Sequence, residues 1–241
     1  MNKIGITERG DAGIDFKWVK KLEKVDFAIL ITKSVNDKFI EEILKVKDKA
    51  ILHATITGYG GTMLEPNVKD IDWSVNQLNK LIELGFPKEQ IVLRLDPIIP
   101  TDKGLFTMEE VLKAIKPLGI KRCRISFLDM YKHVKERFNE NDIRIPYYSF
   151  NPPQYMIDNF HKKIEPWKDI YEFEACAELI ECRIGCVSQK DANILNKTID
   201  FQGNINQRGN CLCPLNKYEL LSNKKQCPHG CLYCYWKINN W

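Results

Sequence analysis

Short apolar runs alternate with longer stretches in which apolar residues recur every three or four positions, and the rhythm holds over the first two hundred residues. Lys3–Thr7 (KIGIT) reads as a brief strand, followed by a loop through Gly10 and Gly13 and a helix near Phe16–Glu23. Phe27–Thr32 (FAILIT) is continuously apolar, the pattern of a strand covered on both faces. Asn36 is placed to cap the next helix, whose apolar stripe is Phe39, Ile40, Ile43, Leu44 and Val46. Ala50–Thr57 is the third strand, and Asp72–Leu84 a helix with Trp73, Val75, Leu78, Leu81 and Ile82 facing inward. Gln90–Leu95 is the fourth strand, expected to end at Asp96–Pro97 because proline cannot donate to a ladder. Thr107, with Glu110 three residues on, has the capping-box pattern that opens a helix. Lys121–Phe127 is a strand and Asp129–Phe138 a helix, and residues 139–153, rich in Asn and Pro, form a surface excursion. Pro153–Ile164 returns as helix, Ile170–Ala175 is the sixth strand, and Ser188–Asn196 the last helix.

Six β–α units without hairpin signals imply a parallel sheet with right-handed crossovers and functional loops at the C-terminal strand ends. A doubly wound sheet and an incomplete barrel both fit. No GxGxxG follows the first strand, which favours the barrel. The expected fold is therefore α/β: a partial (β/α)6 TIM-like barrel over residues 1–200. A cysteine-rich tail, 201–241, would fold over the barrel mouth as part of one structural unit.

Composition changes the picture in one place. At 44% apolar and 28% charged residues the chain is ordinary for a globular protein, which excludes disordered and fibrous classes. The longest apolar run, Val25–Ile31, is interrupted by Asp26 and is far too short for a membrane span. The opening MNKIGITERG lacks the apolar core of a secretory signal. A soluble, cytoplasmic protein with no membrane partner is expected. Yet eight of the nine cysteines lie between Cys176 and Cys234. The tail also holds Arg208, Lys217, Lys224, Lys225 and Lys237 against Glu219 alone, which accounts for the whole formal charge of +4. Clustered thiols in a reducing compartment point to metal or redox chemistry, and an odd number excludes complete pairing within one chain.

Cys227-Pro-His-Gly-Cys231-Leu-Tyr-Cys234 is the most informative segment. Three thiolates at C-x3-C-x2-C can wrap one face of a [4Fe-4S] cubane and leave one iron open to a chelating cofactor or substrate. A structural zinc would want four ligands. His229 is a possible fourth, although its place between two ligands in a tight loop would strain it, and a zinc knuckle is the plainer alternative. With Tyr233 at its aromatic position, the segment resembles the C-x3-C-x-aromatic-C signature of the radical S-adenosylmethionine superfamily. That resemblance implies an open iron chelated by the amino and carboxylate groups of S-adenosylmethionine. It implies a one-electron donor such as a ferredoxin or flavodoxin, and a 5′-deoxyadenosyl radical that abstracts hydrogen from a substrate. It also implies a (β/α)6 barrel, in agreement with the body. In the superfamily the cluster loop normally follows the first strand, whereas here Glu8–Gly13 holds no cysteine. A rearranged chain is expected, with the tail carrying the cluster to the barrel mouth.

A closer resemblance rests on ITKS (31–34), TITGYG (55–60), LEPN (64–67), RLDPIIP (94–100), SFLDMYK (126–132) and CPHGCLYCY. These segments are similar to the domain-of-unknown-function 1848 family, which carries a C-terminal cysteine motif. They are similar, more distantly, to spore photoproduct lyase, a radical enzyme of DNA repair, which also lacks the glycine-glycine-glutamate step that many superfamily members use to bind the cofactor's amine. The likeness to the lyase implies that Lys33 contacts the methionine carboxylate and that Thr55 and Thr57 face the cofactor. Arg94 and Asp96 close the fourth strand and join Lys33, Thr55, Thr57 and Tyr233 as cofactor-binding candidates. Asp129 and Tyr131 follow the fifth strand as catalytic candidates. A cation suits a carboxylate and a threonine hydroxyl suits a ribose or an amine, while a solvated strand end and plain β-formers are the alternatives.

Cys123 reads as a buried apolar residue of the fifth strand. The resembling family keeps counterparts of Cys176, Cys186, Cys211 and Cys213, whereas Cys182 is particular to this chain. Four thiolates could hold a second iron–sulfur cluster or a zinc, although C-x-C is short for a zinc site and the four come from separated segments. Free buried thiols are the alternative. Three functions are weighed: a radical enzyme on an unknown small molecule, a lyase-like enzyme acting on nucleic acid, and a non-catalytic iron–sulfur or zinc protein. The basic tail with Tyr233, Tyr235, Trp236 and Trp241 offers charge and stacking for nucleic acid. The same charge can instead balance clusters that carry about −1 with three thiolates and about −2 with four.

Overall fold

The computed structural model describes residues 2–176, 178, 183–203, 211–222 and 227–236. Seven parallel strands form one sheet: β1 (Ile4–Ile6), β2 (Phe27–Thr32), β3 (Ala50–Thr55), β4 (Ile91–Ile98), β5 (Arg122–Phe127), β6 (Glu172–Glu174) and β7 (Lys217–Glu219). Their order is β6-β5-β4-β3-β2-β1-β7, so the first six lie side by side in chain order and the strand order has no reversal among them. A doubly wound sheet would reverse at a switch point.

Both faces of the central strands are buried, which is why their sequences read as unbroken apolar runs. Ala28, Leu30, Leu52, Ala54, Leu93 and Leu95 pack on one side against α1 (Asp37–Leu44), α2 (Ile71–Glu83), α3 (Asp102–Ile115) and α5 (Gln154–Ile164), through residues such as Phe39, Leu78, Val111 and Phe160. Burying each of these large side chains contributes roughly 2–3 kcal/mol. Ile4, Ile6, Phe27, Ile29, Ile51 and Val92 face the other way and are covered by Val187, Ala192, Leu195 and Ile199, in and around α6 (Gln189–Ile194). Alternate positions share a face. The same face therefore changes character toward the C-terminal strand ends: Ile51 leads to His53 and Thr55, Val92 to Arg94 and Asp96, and Ile29 to Ile31 and Lys33. Apolar residues fill one end of this face and polar groups line the other.

Helix starts follow the expected chemistry in part. Asn36 Oδ1 accepts from Phe39 N at 3.0 Å, and Ser188 with Asp191 forms a capping box on α6. Four expectations fail for physical reasons. The segment Phe16–Lys24 is 3-10 rather than α-helical. β4 runs on through Pro97 to Ile98, because the register shifts between Leu95 and Ile98 and the prolyl nitrogen is not asked to donate. α3 opens at Thr101, whose Oγ1 accepts from Gly104 N at 3.2 Å; Thr107 lies inside the helix and donates its hydroxyl to Lys103 O. The helix expected from Asp129 is α4 (Lys132–Glu140), since Met130 N is engaged by Phe150 O of the excursion. No helix among the described residues is long and apolar enough to cross a membrane.

Candidate metal centre

A cavity of about 270 Å³ opens at the C-terminal ends of the strands, and seven cysteines line it: Cys176, Cys186, Cys211, Cys213, Cys227, Cys231 and Cys234. The loop 227–234 reaches it because β7 pairs in parallel with β1. The segment after β7 thus leaves the sheet at the same end as the loop after β1, one strand away.

Main-chain hydrogen bonds fix that loop. Leu232 N donates to Leu64 O at 3.0 Å, Asn67 N to His229 O at 3.3 Å and Asn67 Nδ2 to Pro228 O at 2.8 Å. Arg137 of α4 donates to the carbonyls of Cys231, Cys234 and Trp236, so one guanidinium spans two of the three thiol positions. Gly230 sits between two cysteines at φ +68°, and a Cβ there would stand 3.2 Å from Pro66. A left-handed turn pressed against Pro66 requires glycine.

The loop after β1 supplies an anchor although it lacks cysteine. Asp11 accepts from Gly13 N, Thr32 Oγ1 and Lys33 N, and its Oδ2 lies 2.8 Å from His229 Nε2. His229 is therefore tied to Asp11 through Nε2, one of its two ring nitrogens. Burial works against the Asp11 carboxylate, but the His229 contact and the backbone donors hold it below its ordinary range. Lys33 Nζ lies 2.7 Å from Glu65 Oε1 and donates to Tyr233 OH at 3.0 Å. Burial opposes the Lys33 charge, yet Glu65 and Cys231 raise its proton affinity above normal. An ammonium thus stands beside the cysteine loop.

Burial pushes the Cys227 thiol up to about 11 and raises Cys231 and Cys234 as well, with Lys33 pulling each of them back and Arg137 pulling back Cys234. Three thiols whose burial disfavours the charged form deprotonate readily only against a cation, and that donor set fits a thiolate-bound cluster.

The second set is assembled from separate segments. Cys176 Sγ and Cys211 Sγ are 3.8 Å apart, and Cys176, Cys211 and Cys213 together lie within 4.8 Å of one another. Cys186 lines the same cavity, and its neighbour Gly185 packs against Leu212, between Cys211 and Cys213. The neighbouring Cys176 and Cys213 draw the Cys186 thiol well below its usual range, with Arg94 and Arg124 adding to the effect, and Cys176 and Cys186 push Cys213 upward. Arg124 also ties the Cys186 loop to the sheet by donating to Ile184 O and Gly185 O, and binds Glu174.

Of the residues singled out in the sequence, Lys33, Thr55, Arg94, Asp96, Asp129 and Tyr233 line the cavity. Arg94 Nε donates to Asp96 Oδ2 at 2.8 Å. Thr57 and Tyr131 do not line it: Thr57 Oγ1 accepts from Tyr59 N, and Tyr131 packs on His133 and Phe150. Of the basic tail, Lys217 is buried against Glu8 at 2.7 Å, which removes it from any polyanion surface. Cys182, Arg208, Lys224, Lys225, Lys237 and Trp241 lie outside the described residues. Sequence reasoning passed over Asp11, Glu65, Arg124 and Arg137. Glu65 lies in the quoted LEPN segment and Asp11 between two loop glycines, so both were visible without an assigned task.

A family model described as a domain of unknown function (DUF1848) matches residues 16–236. No curated protein and no solved structure matches the chain.

Proposed function

The chain belongs to the DUF1848 family over most of its length, and from that footing we propose that it is a radical S-adenosylmethionine enzyme whose cluster is held by Cys227, Cys231 and Cys234. The observation that carries the reading is the delivery of this C-x3-C-x2-C loop onto a cavity at the strand ends, with Lys33 and Tyr233 beside it. The unreversed strand order supports a partial (β/α)6 barrel as the frame. When bound, a [4Fe-4S] cluster with an open iron supplies the electron, drawn from a ferredoxin or flavodoxin, that splits S-adenosylmethionine into methionine and a hydrogen-abstracting 5′-deoxyadenosyl radical.

The chain's own groups have defined tasks in this reading. Lys33 offers a cation to the methionine carboxylate, and Glu65 on its far side keeps it charged and aimed. Thr55 offers a hydroxyl to the cofactor, and Arg94 with Asp96 forms a fixed ion pair on the wall. Asp129 lines the substrate end and is the candidate to hold or move a proton there. Arg137 and Asn67 position the loop from outside the cavity, and Asp11 does so from its wall through His229.

Anaerobic reconstitution, reduction and addition of S-adenosylmethionine should yield 5′-deoxyadenosine. Cys231→Ala should abolish it with loss of iron. An iron-free protein that gives no product overturns the reading in favour of a non-catalytic metal protein, and unchanged product from Cys231→Ala overturns the placement of the cluster on this loop.

A further inference from the structure

The second thiol set has a spacing of its own. In a tetrahedron the ligand–ligand edge is about 1.63 times the centre-to-ligand distance, so a zinc–sulfur bond of about 2.3 Å sets thiolates about 3.8 Å apart. Cys176 Sγ and Cys211 Sγ stand at 3.8 Å, and Cys213 joins them within 4.8 Å. Among the described residues no other group of three or more thiol, imidazole or carboxylate ligands is drawn so close. Cys227, Cys231 and Cys234 form no such group; in a cubane each thiolate binds a different iron and the width of the core separates them.

We infer that Cys176, Cys186, Cys211 and Cys213 close around a single tetrahedral ion, zinc, rather than a second cubane. Cys186 stands outside that 4.8 Å trio but lines the same cavity, and its neighbour Gly185 packs against Leu212, between Cys211 and Cys213, which makes it the fourth ligand the ion would draw in. Leu212 N donates to Cys176 Sγ at 3.3 Å, the backbone support usual for a thiolate ligand. The two ligand loops meet at Gly185, where a Cβ would stand 2.8 Å from both Leu212 O and Val187 O, so this approach admits only glycine. Four thiolates on a divalent ion carry about −2, and Arg94, Arg124 and Lys217 surround the set with positive charge. That charge would suit a four-thiolate cubane equally; the sulfur spacing decides between them. With four protein ligands the ion has no open position, so its task is to fasten residues 211–213 to the strap after β6 and complete the cavity wall.

The test uses the full chain carrying Cys231→Ala, which removes the first set and makes the outcome independent of the radical reading. Purified anaerobically from cells supplied with iron and zinc, this variant should retain about one zinc per chain and no acid-labile sulfide. Replacement by cobalt(II) should give the intense visible and thiolate charge-transfer bands of a tetrahedral tetrathiolate, saturating at one equivalent. Adding Cys186→Ser should weaken cobalt binding by more than about tenfold. If that double variant does not accumulate, zinc-edge X-ray absorption on the Cys231→Ala protein should show four sulfurs in one shell near about 2.3 Å. An iron–sulfide chromophore that survives Cys231→Ala, a chain that holds no metal, or a shell with fewer than four sulfurs overturns the assignment.

Discussion

Cys227, Cys231 and Cys234 come from one eight-residue stretch, and their loop is held through its backbone: Arg137, Asn67 and Leu64 grip carbonyls and amides from outside. Cys176, Cys186, Cys211 and Cys213 come from three segments, and the sulfurs of Cys176, Cys211 and Cys213 gather within 4.8 Å of one another. The first loop is held by backbone contacts that involve no thiol, whereas the second set joins segments that are far apart in the chain. The difference follows from where the ordering cost is met. A short ligand spacing lets neighbouring elements preorganise a site, while separated ligands make the ion a staple that closes a long loop. In the proposed reading, the first set could leave an iron open because its loop is secured by backbone contacts elsewhere.

The sharpest way to break this contrast is to remove one ligand from each. Cys213→Ala should cost on the order of 5 kcal/mol and lower the thermal midpoint by about 10–15 °C in calorimetry. Cys231→Ala should shift the midpoint by only about 3 °C while eliminating 5′-deoxyadenosine. Equal losses of stability would end the distinction. Glu65→Gln leaves Lys33 buried without its carboxylate and should cost about 3 kcal/mol in denaturant melts, with zinc content unchanged. The two glycines give a smaller, graded version. Gly185→Ala meets two carbonyl oxygens and should cost about 2–3 kcal/mol with loss of zinc. Gly230→Ala strains only a left-handed turn, about 1 kcal/mol, and should lower iron content alone.

The smallest effect concerns Glu219 of β7, on the chain between the two sets. Burial pushes its carboxyl up to about 7, against the donors Leu221 N and Arg9 N. A raised folded-state value means that the neutral form favours the fold. That contribution is complete below the ordinary value of 4.5 and is lost as pH rises through about 7. Glu219→Gln should therefore raise the midpoint at pH 8 by about 2–4 °C and by less at pH 5. A gain that is larger at pH 5 would contradict the burial of this carboxyl.

The elements with strong periodicity were legible: FAILIT, the stripe of α1 and the parallel order all follow from apolar spacing. β7 was not, because KYE has no apolar run and becomes a strand only by pairing with β1. The cysteine loop announced itself through local spacing, and Lys33, Thr55, Arg94 and Asp96 through their positions at strand ends. Thr57 and Tyr131 miss the cavity because β3 ends at Thr55 and the chain turns at Asp129–Tyr131. Asp11 and Arg137 were hidden for another reason: each acts on residues about a hundred to two hundred positions away, and no local pattern marks such a partner.

The pairing of β7 with β1 also sets an order of events during synthesis. Every strand from β1 to β6 leaves the ribosome before Cys211, Cys213 and the 227–234 loop, and chains fold from their N-terminal portions as they emerge. The sheet and its helical layer can consolidate first and leave the place beside β1 vacant, to be filled late by a short strand. Any metal the proposed sites take would thereby be loaded only after the wall that receives it is finished, and not on a half-made scaffold.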